Sequence, residues 1–296
     1  MNENANTGRT LYLVDGSAYI FRAYHALPPL TRSDGTPVGA VRGFMTMMLR
    51  LVEDHAHDYF AVIFDAKGET FRNKIYDQYK ANRDAPPEDL RPQFPIVRDA
   101  TRALNLSCIE KDGFEADDII ATYAQVGAKA GLDVVIVSSD KDLMQLVDDR
   151  VCMYDPMKQR TIRHDEVVEK FGVGPDRVVD VQALAGDSVD NVPGVPGIGI
   201  KTAALLINEY GDLDVLLERA GEIKQNKRRE NLIEFADLAR VSRDLVRLDT
   251  AVPDLPDLED LLHEVHDEET LRAFLEEMEF KSIAQKMGMK VETQPV

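Results

Sequence analysis

Val134-Val135-Ile136-Val137-Ser138-Ser139-Asp140 is four apolar β-formers in a row, then two serines and an acid. So short an apolar run, bounded by polar residues, reads as a strand buried on both faces, the pattern of a parallel sheet. The same grammar occurs twice upstream. Leu11–Val14 ends at Asp15-Gly16, and Phe60–Phe64 ends at Asp65. Helical patterns lie between and after them. Ala40–Glu53 puts Phe44, Met47, Met48 and Leu51 on one side; Leu90–Asn105 and Glu115–Ala130 follow. Strand alternating with helix predicts an α/β fold around a mostly parallel central sheet flanked by helices.

In open sheets of this kind, ligands bind beyond the carboxyl ends of the strands. Asp15, Asp65 and Asp140 all fall there, and Asp142 follows two residues on. Glu115, Asp117 and Asp118 open a helix, with Glu115 and Asp118 sharing a face at i,i+3. Gly186–Asn191 supplies a second such pair, Asp187 and Asp190. These nine carboxylates would repel one another in a single cleft unless cations lay between them. Oxygen ligands suit Mg²⁺ or Mn²⁺, with waters completing the shell. Two such ions ~4 Å apart serve phosphodiester cleavage by stabilising the attacking and leaving oxygens. Ordinary capping explains any one of these acids equally well, since Asp117 and Asp118 suit a first helical turn. Capping does not explain three separate strands that all end in Asp. Composition and spacing leave both explanations open.

The chain has 296 residues, 44% of them hydrophobic, enough for one large domain or two small ones. No apolar run is long enough to span a bilayer. The polar N-terminus lacks the layout of a signal peptide, which points to the cytoplasm. Cys108 and Cys152 lie far apart in apolar stretches and read as reduced core residues. A net charge of −18 is unlike a basic nucleic-acid binder. Its distribution alters that reading. Residues 249–296 carry 13 acids against 4 bases, leaving 40 acids and 31 bases in residues 1–248. Setting aside the nine candidate ligands, the larger part is balanced and free to carry local basic patches.

Two stretches could hold nucleic acid. Gly197-Ile198-Gly199-Ile200-Lys201-Thr202 leads into an apolar helix, placing backbone amides and a cation where a phosphate binds. A plain helix-to-helix turn is the simpler alternative, but the preceding Pro-Gly and following Lys-Thr-Ala match a helix-hairpin-helix. The spacing is not that of a P-loop. Phe71–Arg83 mixes Arg72, Lys74, Lys80 and Arg83 with Tyr76 and Tyr79, the mixture that grips single strands. It directly follows Asp65, so its cations would overlook the carboxylates. Tyr19, Phe21, Tyr24 and His25 follow Asp15 and either stack on bases or pack the core. His55-x-His57 and His263-x-x-His266 each lack a third ligand in sequence and read as surface histidines. From about His164 strand signals fade into short helices, and Val252–Pro256 reads as a connector.

Taken in order, residues 13–30 (LVDGSAYIFRAYHALPPL), 62–83 (VIFDAKGETFRNKIYDQYKANR), 113–122 (GFEADDIIAT), 134–147 (VVIVSSDKDLMQLV) and 183–203 (ALAGDSVDNVPGVPGIGIKTA) form a specific set. They resemble the 5′ nuclease domains of bacterial DNA polymerase I, members of the flap endonuclease superfamily with a PIN-like fold. MEFKSIAQKMG at 278–288 resembles the end of that domain. The resemblance implies a tail at 1–9 and a catalytic core at 10–163 with a helical arch at about 70–95. It implies a helical region at 164–289 with the hairpin element at about 180–215, then a linker stub at 290–296. It places Asp15, Asp65, Glu115, Asp117, Asp118, Asp140, Asp142, Asp187 and Asp190 on the family's metal-binding acids. Lys80 and Arg83 fall on the arch that clamps the 5′ strand, with Arg72 near it. Tyr19, Tyr24, Tyr79, Gly197, Gly199, Lys201 and Thr202 are the expected DNA contacts, with K⁺ a further ligand of the hairpin.

The implied activity is Mg²⁺-dependent 5′→3′ exonuclease and flap endonuclease action on branched or 5′-ended DNA and RNA-primed flaps. The implied setting is a monomer joined to a polymerase portion, working in replication and repair. Val189 stands where the family has a small or polar residue, Ile200 fills the hairpin's variable position, and residues 1–9 extend past the usual start. Three rivals are disfavoured. All nine acids are present, against a binding module without chemistry. The hairpin and arch speak against a PIN-type ribonuclease. Asp15-Gly16-Ser17 lacks the second acid of a DxD phosphatase.

Overall fold

The computed structural model describes residues 9–289; the stub at 290–296 and all but Arg9 of the expected tail lie outside them. The core alternates β1 (Thr10–Asp15), α1 (Gly16–Ala26), α2 (Gly39–Asp54), β2 (Tyr59–Ile63), α3 (Phe71–Ile75), α4 (Gln93–Ala103), β3 (Ser107–Ile109), α5 (Ala116–Lys129) and β4 (Asp133–Val137). Then come β5 (Val151–Asp155), β6 (Arg160–Ile162) and the helices α6 (His164–Phe171), α7 (Val178–Ala185), α8 (Ile200–Tyr210), α9 (Leu213–Glu218), α10 (Asn226–Glu234) and α11 (Ala236–Val246). Two more helices, α12 (Glu268–Glu277) and α13 (Lys281–Lys286), close the described chain.

The six strands run in the order β3-β2-β1-β4-β5-β6. All neighbours are parallel except β6, which turns back against β5. The chain winds outward from β1 to β3, then crosses back to β4. The switch point therefore lies between β1 and β4, where a crevice opens at the strand ends. Asp15 ends β1, and Ser138 follows β4 directly. Leu11, Leu13, Val14, Val134, Ile136 and Val137 are fully buried because helices cover both faces. One apolar cluster packs α1, α2, α4 and the C-terminal α12–α13 on one face. The other runs from the sheet through α5 into Leu206, Leu216, Leu232 and Ala239 of the helical region.

Gly16 is required where it stands. A Cβ there would lie 2.5 Å from the Phe64 ring, so only glycine lets α1 start at once after Asp15. Asp15 caps that helix, accepting from the Ala18 amide.

The expected helical arch is a correction. Between residues 70 and 92 the chain is helical only at Phe71–Ile75 and otherwise forms turns. Lys80 has φ +55°, and Pro86, Pro87 and Pro92 remove donors and disfavour helix in the residues before them. The same prolines delay α4 to Gln93 instead of Leu90. These turns lean on the loop carrying Asp187 and Asp190. Asn82 donates to the Ser188 carbonyl at 2.8 Å, Asn191 to that of Gln78 at 2.6 Å, and the Lys80 amide to that of Asp190 at 2.9 Å.

Candidate metal centre and nucleic-acid interface

The switch-point crevice gathers most of the acids. Asp15 accepts from the Ala18 amide at 2.9 Å and from the Ser138 hydroxyl at 3.0 Å. Burial, with the facing charges of Asp65 and Asp140, still pushes its carboxyl up to about 7. Asp65 accepts from the Ala116 amide at 2.9 Å, which ties the end of β2 to the start of α5. Asp117 is raised well above the ordinary carboxylate range by burial, then by Asp140, Asp15 and Asp65. Asp140 accepts from the Asp142 amide at 2.9 Å, and its own amide donates to Ser138. Asp142 is pushed up to about 7 by burial and then by Asp140, although Gln182 donates to it at 2.5 Å.

The remaining acids carry cations. Lys80 donates to Glu115 at 2.7 Å and lies 3.6 Å from Asp190. Arg83 reaches Asp190 at 2.5 Å, and Lys141 reaches Asp187 at 2.5 Å. Burial alone would raise Asp187, but the Lys141 and Val189 hydrogen bonds bring it below its usual value. The cluster thus has two parts. Asp15, Asp65, Asp117 and Asp140 repel one another, and among the described residues none of them is paired with a lysine or arginine, although Lys80 lowers Asp117 from a distance. Glu115, Asp187 and Asp190 are already neutralised by side chains.

Among the described residues no three His, Cys, Asp or Glu side chains are drawn up as a ready ligand set for one ion. Mg²⁺ needs no such cage, because it keeps several waters and takes one or two carboxylates. An all-oxygen donor set whose members raise one another's pKa is the chemistry that a hard divalent cation relieves. The residues fit such an ion.

Two expected site residues are sealed in at the edge of the crevice, where Arg72 lines a small cavity with Glu115, Asp117, Asp142 and Asp190. Asp118 is wholly buried, and its two oxygens accept from Arg72 at 2.7 Å each. They accept also from the Glu115 amide at 3.1 Å and the Asp249 amide at 2.9 Å. Arg72 is 1% exposed and also donates to the Leu245 and Arg247 carbonyls at 2.8 and 3.0 Å. Neither side chain can reach a metal or phosphate without abandoning a saturated buried network.

The expected aromatic contacts divide. Tyr19 and Tyr79 are buried, and Tyr79 donates to Glu115 at 3.1 Å, so neither offers a ring face to a base. Tyr24 is half-exposed and donates to Asp89 at 2.8 Å. The more open aromatic is Phe21, which with Phe94, Pro86, Lys67 and Arg98 lines a cleft of about 550 Å³ reaching Asp65.

The hairpin is built as its sequence suggests. Gly197 has φ +79°, Gly199 precedes α8, and Gly197, Gly199 and Lys201 are exposed while Thr202 is half-exposed. Asn231 of α10 donates to the Pro196 carbonyl at 2.7 Å, and Ser242 of α11 accepts from the Gly194 amide at 3.0 Å. Gly186 at the other end has φ +68°, and a Cβ there would meet the Val192 carbonyl at 2.6 Å.

Sequence reasoning did not single out Ser138, Lys141 or Gln182, although the first two lie within the quoted run around Asp140. It also read the histidines as isolated. Instead His57 Nε2 lies 2.7 Å from His263 Nδ1, and both rings are half-buried.

Known proteins share this architecture. The model of the 5′-3′ exonuclease N-terminal resolvase-like domain matches residues 10–172, and that of the 5′-3′ exonuclease C-terminal SAM fold matches residues 173–288. DNA polymerase I of Rhizobium leguminosarum is 58% identical over 289 residues, covering 95% of this chain but 28% of that protein. The chain thus spans less than a third of that relative's length. The 5′-3′ exonuclease of Aquifex aeolicus is 37% identical, covering 93% of this chain and 94% of that protein. A bacteriophage T5 5′-exonuclease structure with bound divalent zinc superposes with TM-score 0.70 at 24% identity, covering 92% of this chain and 99% of that one. A T5 flap endonuclease complexed with DNA and metal ions also superposes with TM-score 0.70, at 24% identity, covering 94% of this chain and 100% of that one. A parallel sheet with acids at its switch point, two family models that together span residues 10–288, and these relatives agree: the chain belongs to the 5′-3′ exonuclease family.

Proposed function

We propose that the chain is a structure-specific 5′→3′ exonuclease and flap endonuclease acting on branched or 5′-ended DNA and RNA-primed flaps. The observation that carries this is the unneutralised group Asp15, Asp65, Asp117 and Asp140 beside Lys80 and Arg83. The acids can hold divalent ions, and the cations can hold a phosphate. Asp15, Asp65, Asp117, Asp140 and Asp142 would share the divalent ions, each ion taking one or two carboxylates and keeping waters; Glu115, Asp187 and Asp190 would contribute once their cations move. Mg²⁺ is the preferred ion, with Mn²⁺ an alternative, and it would supply Lewis acidity for phosphodiester hydrolysis.

The chain's own groups do the rest. Ser138 and the Ala18 amide fix the Asp15 carboxylate. Lys80 and Arg83 exchange Glu115 and Asp190 for phosphate oxygens, steering the scissile phosphate and stabilising its developing charge. The exposed amides around Gly197 and Gly199, with Lys201, hold the duplex backbone, and K⁺ can share that turn. Cleavage leaves a 5′ phosphate on the product.

The relatives support this reading through what they bind and what they are called. The match to 28% of a DNA polymerase I supports a natural setting joined to a polymerase portion, in replication and repair. No helix among the described residues is long and apolar enough to cross a membrane. A monomer at work on DNA in the cytoplasm is part of the same proposal. The deciding experiment uses an end-labelled 5′-flap duplex with and without Mg²⁺. Release of short 5′ fragments only when Mg²⁺ is present is expected, and no release with Mg²⁺, or with Mn²⁺ in its place, overturns the proposal.

A further inference from the structure

We propose that Arg72 and Asp118 are a positioning pair that sets the carboxylates of α5 and fastens them to the helix under the hairpin, without touching metal or phosphate. The inference deepens the nuclease reading and rests on it for its kinetic part. Three segments meet at this pair. Arg72 belongs to α3 at the base of the arch. Asp118 lies in the first turn of α5, which carries Glu115 and Asp117. The two carbonyls that Arg72 reaches, Leu245 and Arg247, are at the end of α11. That same helix accepts the Gly194 amide through Ser242.

The geometry assigns the roles. The guanidinium meets both Asp118 oxygens at 2.7 Å, a two-point contact that fixes orientation as well as distance. Asp118 also accepts the Glu115 amide, so it sets the backbone of the residue that Lys80 and Tyr79 contact. Arg72 lies 3.5 Å from Glu115 and biases that carboxylate toward one position. Four of the five N–H groups of the Arg72 head donate to protein acceptors, and the fifth, on Nη1, has the Glu115 carboxylate 3.5 Å away. A phosphate-binding arginine needs a solvent path, and a metal-binding carboxylate needs an open lone pair. This pair has neither.

Four variants test it: Asp118→Asn, Arg72→Lys, the apolar double Arg72→Met/Asp118→Leu, and Asp140→Asn as the ligand comparison. The first measurement is Mn²⁺ binding without DNA, followed by paramagnetic resonance. Asp118→Asn is expected to keep the wild-type number of bound Mn²⁺ ions, while Asp140→Asn loses affinity. Loss of Mn²⁺ in Asp118→Asn to the same extent overturns the assignment. The second is flap cleavage well below each variant's melting temperature. A fall in kcat of about tenfold or more with little change in KM is expected for Asp118→Asn and Arg72→Lys. A KM increase alone marks Arg72 as a substrate contact and overturns the proposal.

The double variant removes both charges, so it leaves no unpaired one to prevent folding. It is expected to fold, bind Mn²⁺, and cut about as slowly as a single variant, because the two residues act as one unit. Additive loss overturns that unity. Should the wild-type chain cut nothing, the nuclease reading fails, yet the Mn²⁺ result still decides whether Asp118 is a ligand.

Discussion

Lys80 sits between two acids, and that placement defines what its loss should do. It bonds Glu115 and lies near Asp190, so in Lys80→Ala the carboxylates lose a counter-charge and the scissile phosphate loses a stabiliser. The expected result is a fall in kcat on the order of a hundredfold with a much smaller loss of flap affinity. Parallel single-turnover and binding measurements check it, and equal losses would reduce Lys80 to an anchor. Lys201 forms no ion pair among the described residues and stands exposed at the start of α8. Lys201→Ala should weaken duplex binding and lower the slope of log affinity against log salt by about one. An unchanged slope in a salt titration removes the hairpin from the phosphate track. Asp15, Asp65 and Asp140 were legible because a buried strand announces its own end. Asp118 was not. Its i,i+3 relation to Glu115 gave a shared face but could not say which side of that face is interior. The deciding partner carbonyl, that of Leu245, lies 173 residues from Arg72.

Among the elements, the arch segment departs furthest from expectation, and for a local reason. Its aromatic and basic pattern is helical in period, but its prolines and the positive φ of Lys80 break it into turns held by the Ser188–Asn191 loop. The histidine pairs depart for a non-local one. The backbone of His263 donates to the Asp58 carbonyl at 2.9 Å, which lays the coil before α12 against the start of β2. His57 Nδ1 faces the His55 carbonyl at 2.7 Å and must donate to it. Its Nε2 then accepts from His263 Nδ1–H when both rings are neutral, and the contact cannot survive a proton on each. Tyr12, Phe60, His55 and His266 surround the pair.

Burial, then His57 and His266, hold His263 below its ordinary 6.5. A base depressed by folding stabilises the fold above its unfolded value, and that stability is lost as pH falls through the folded value. Asp15, Asp117 and Asp142, raised by folding, act in the opposite direction, so the pair is read by difference: the melting-temperature advantage of the wild type over His263→Gln should shrink as pH falls below 6.5. An identical pH profile in the variant would show that the pair does not report on folding.

The whole molecule is more continuous than its two matched family models suggest. The apolar cluster under the sheet passes without a break from Leu11 and Val134 to Leu216 and Leu232, so the catalytic core and the helical region share one interior. Leu216 is fully buried there. Leu216→Ala should cost about 2–5 kcal/mol and lower a single calorimetric transition. Two transitions, with only one moved, would show that the regions unfold separately. The sequence made the change of character near His164 visible, but a shared interior is invisible to periodicity, which reports faces and not their partners.

The span of the Arg72 network has a further consequence in time. Synthesis proceeds from the N-terminus, and the strands of the sheet can form while the rest is still being made. The carbonyls of Leu245 and Arg247 that complete the Arg72 contacts emerge 173 and 175 residues after Arg72 itself. Until they do, the growing polypeptide carries the acids of the sheet and of α5 without the fastening that sets them. The acids and their fastening therefore come together only when the helical region has been made and has folded back onto the sheet.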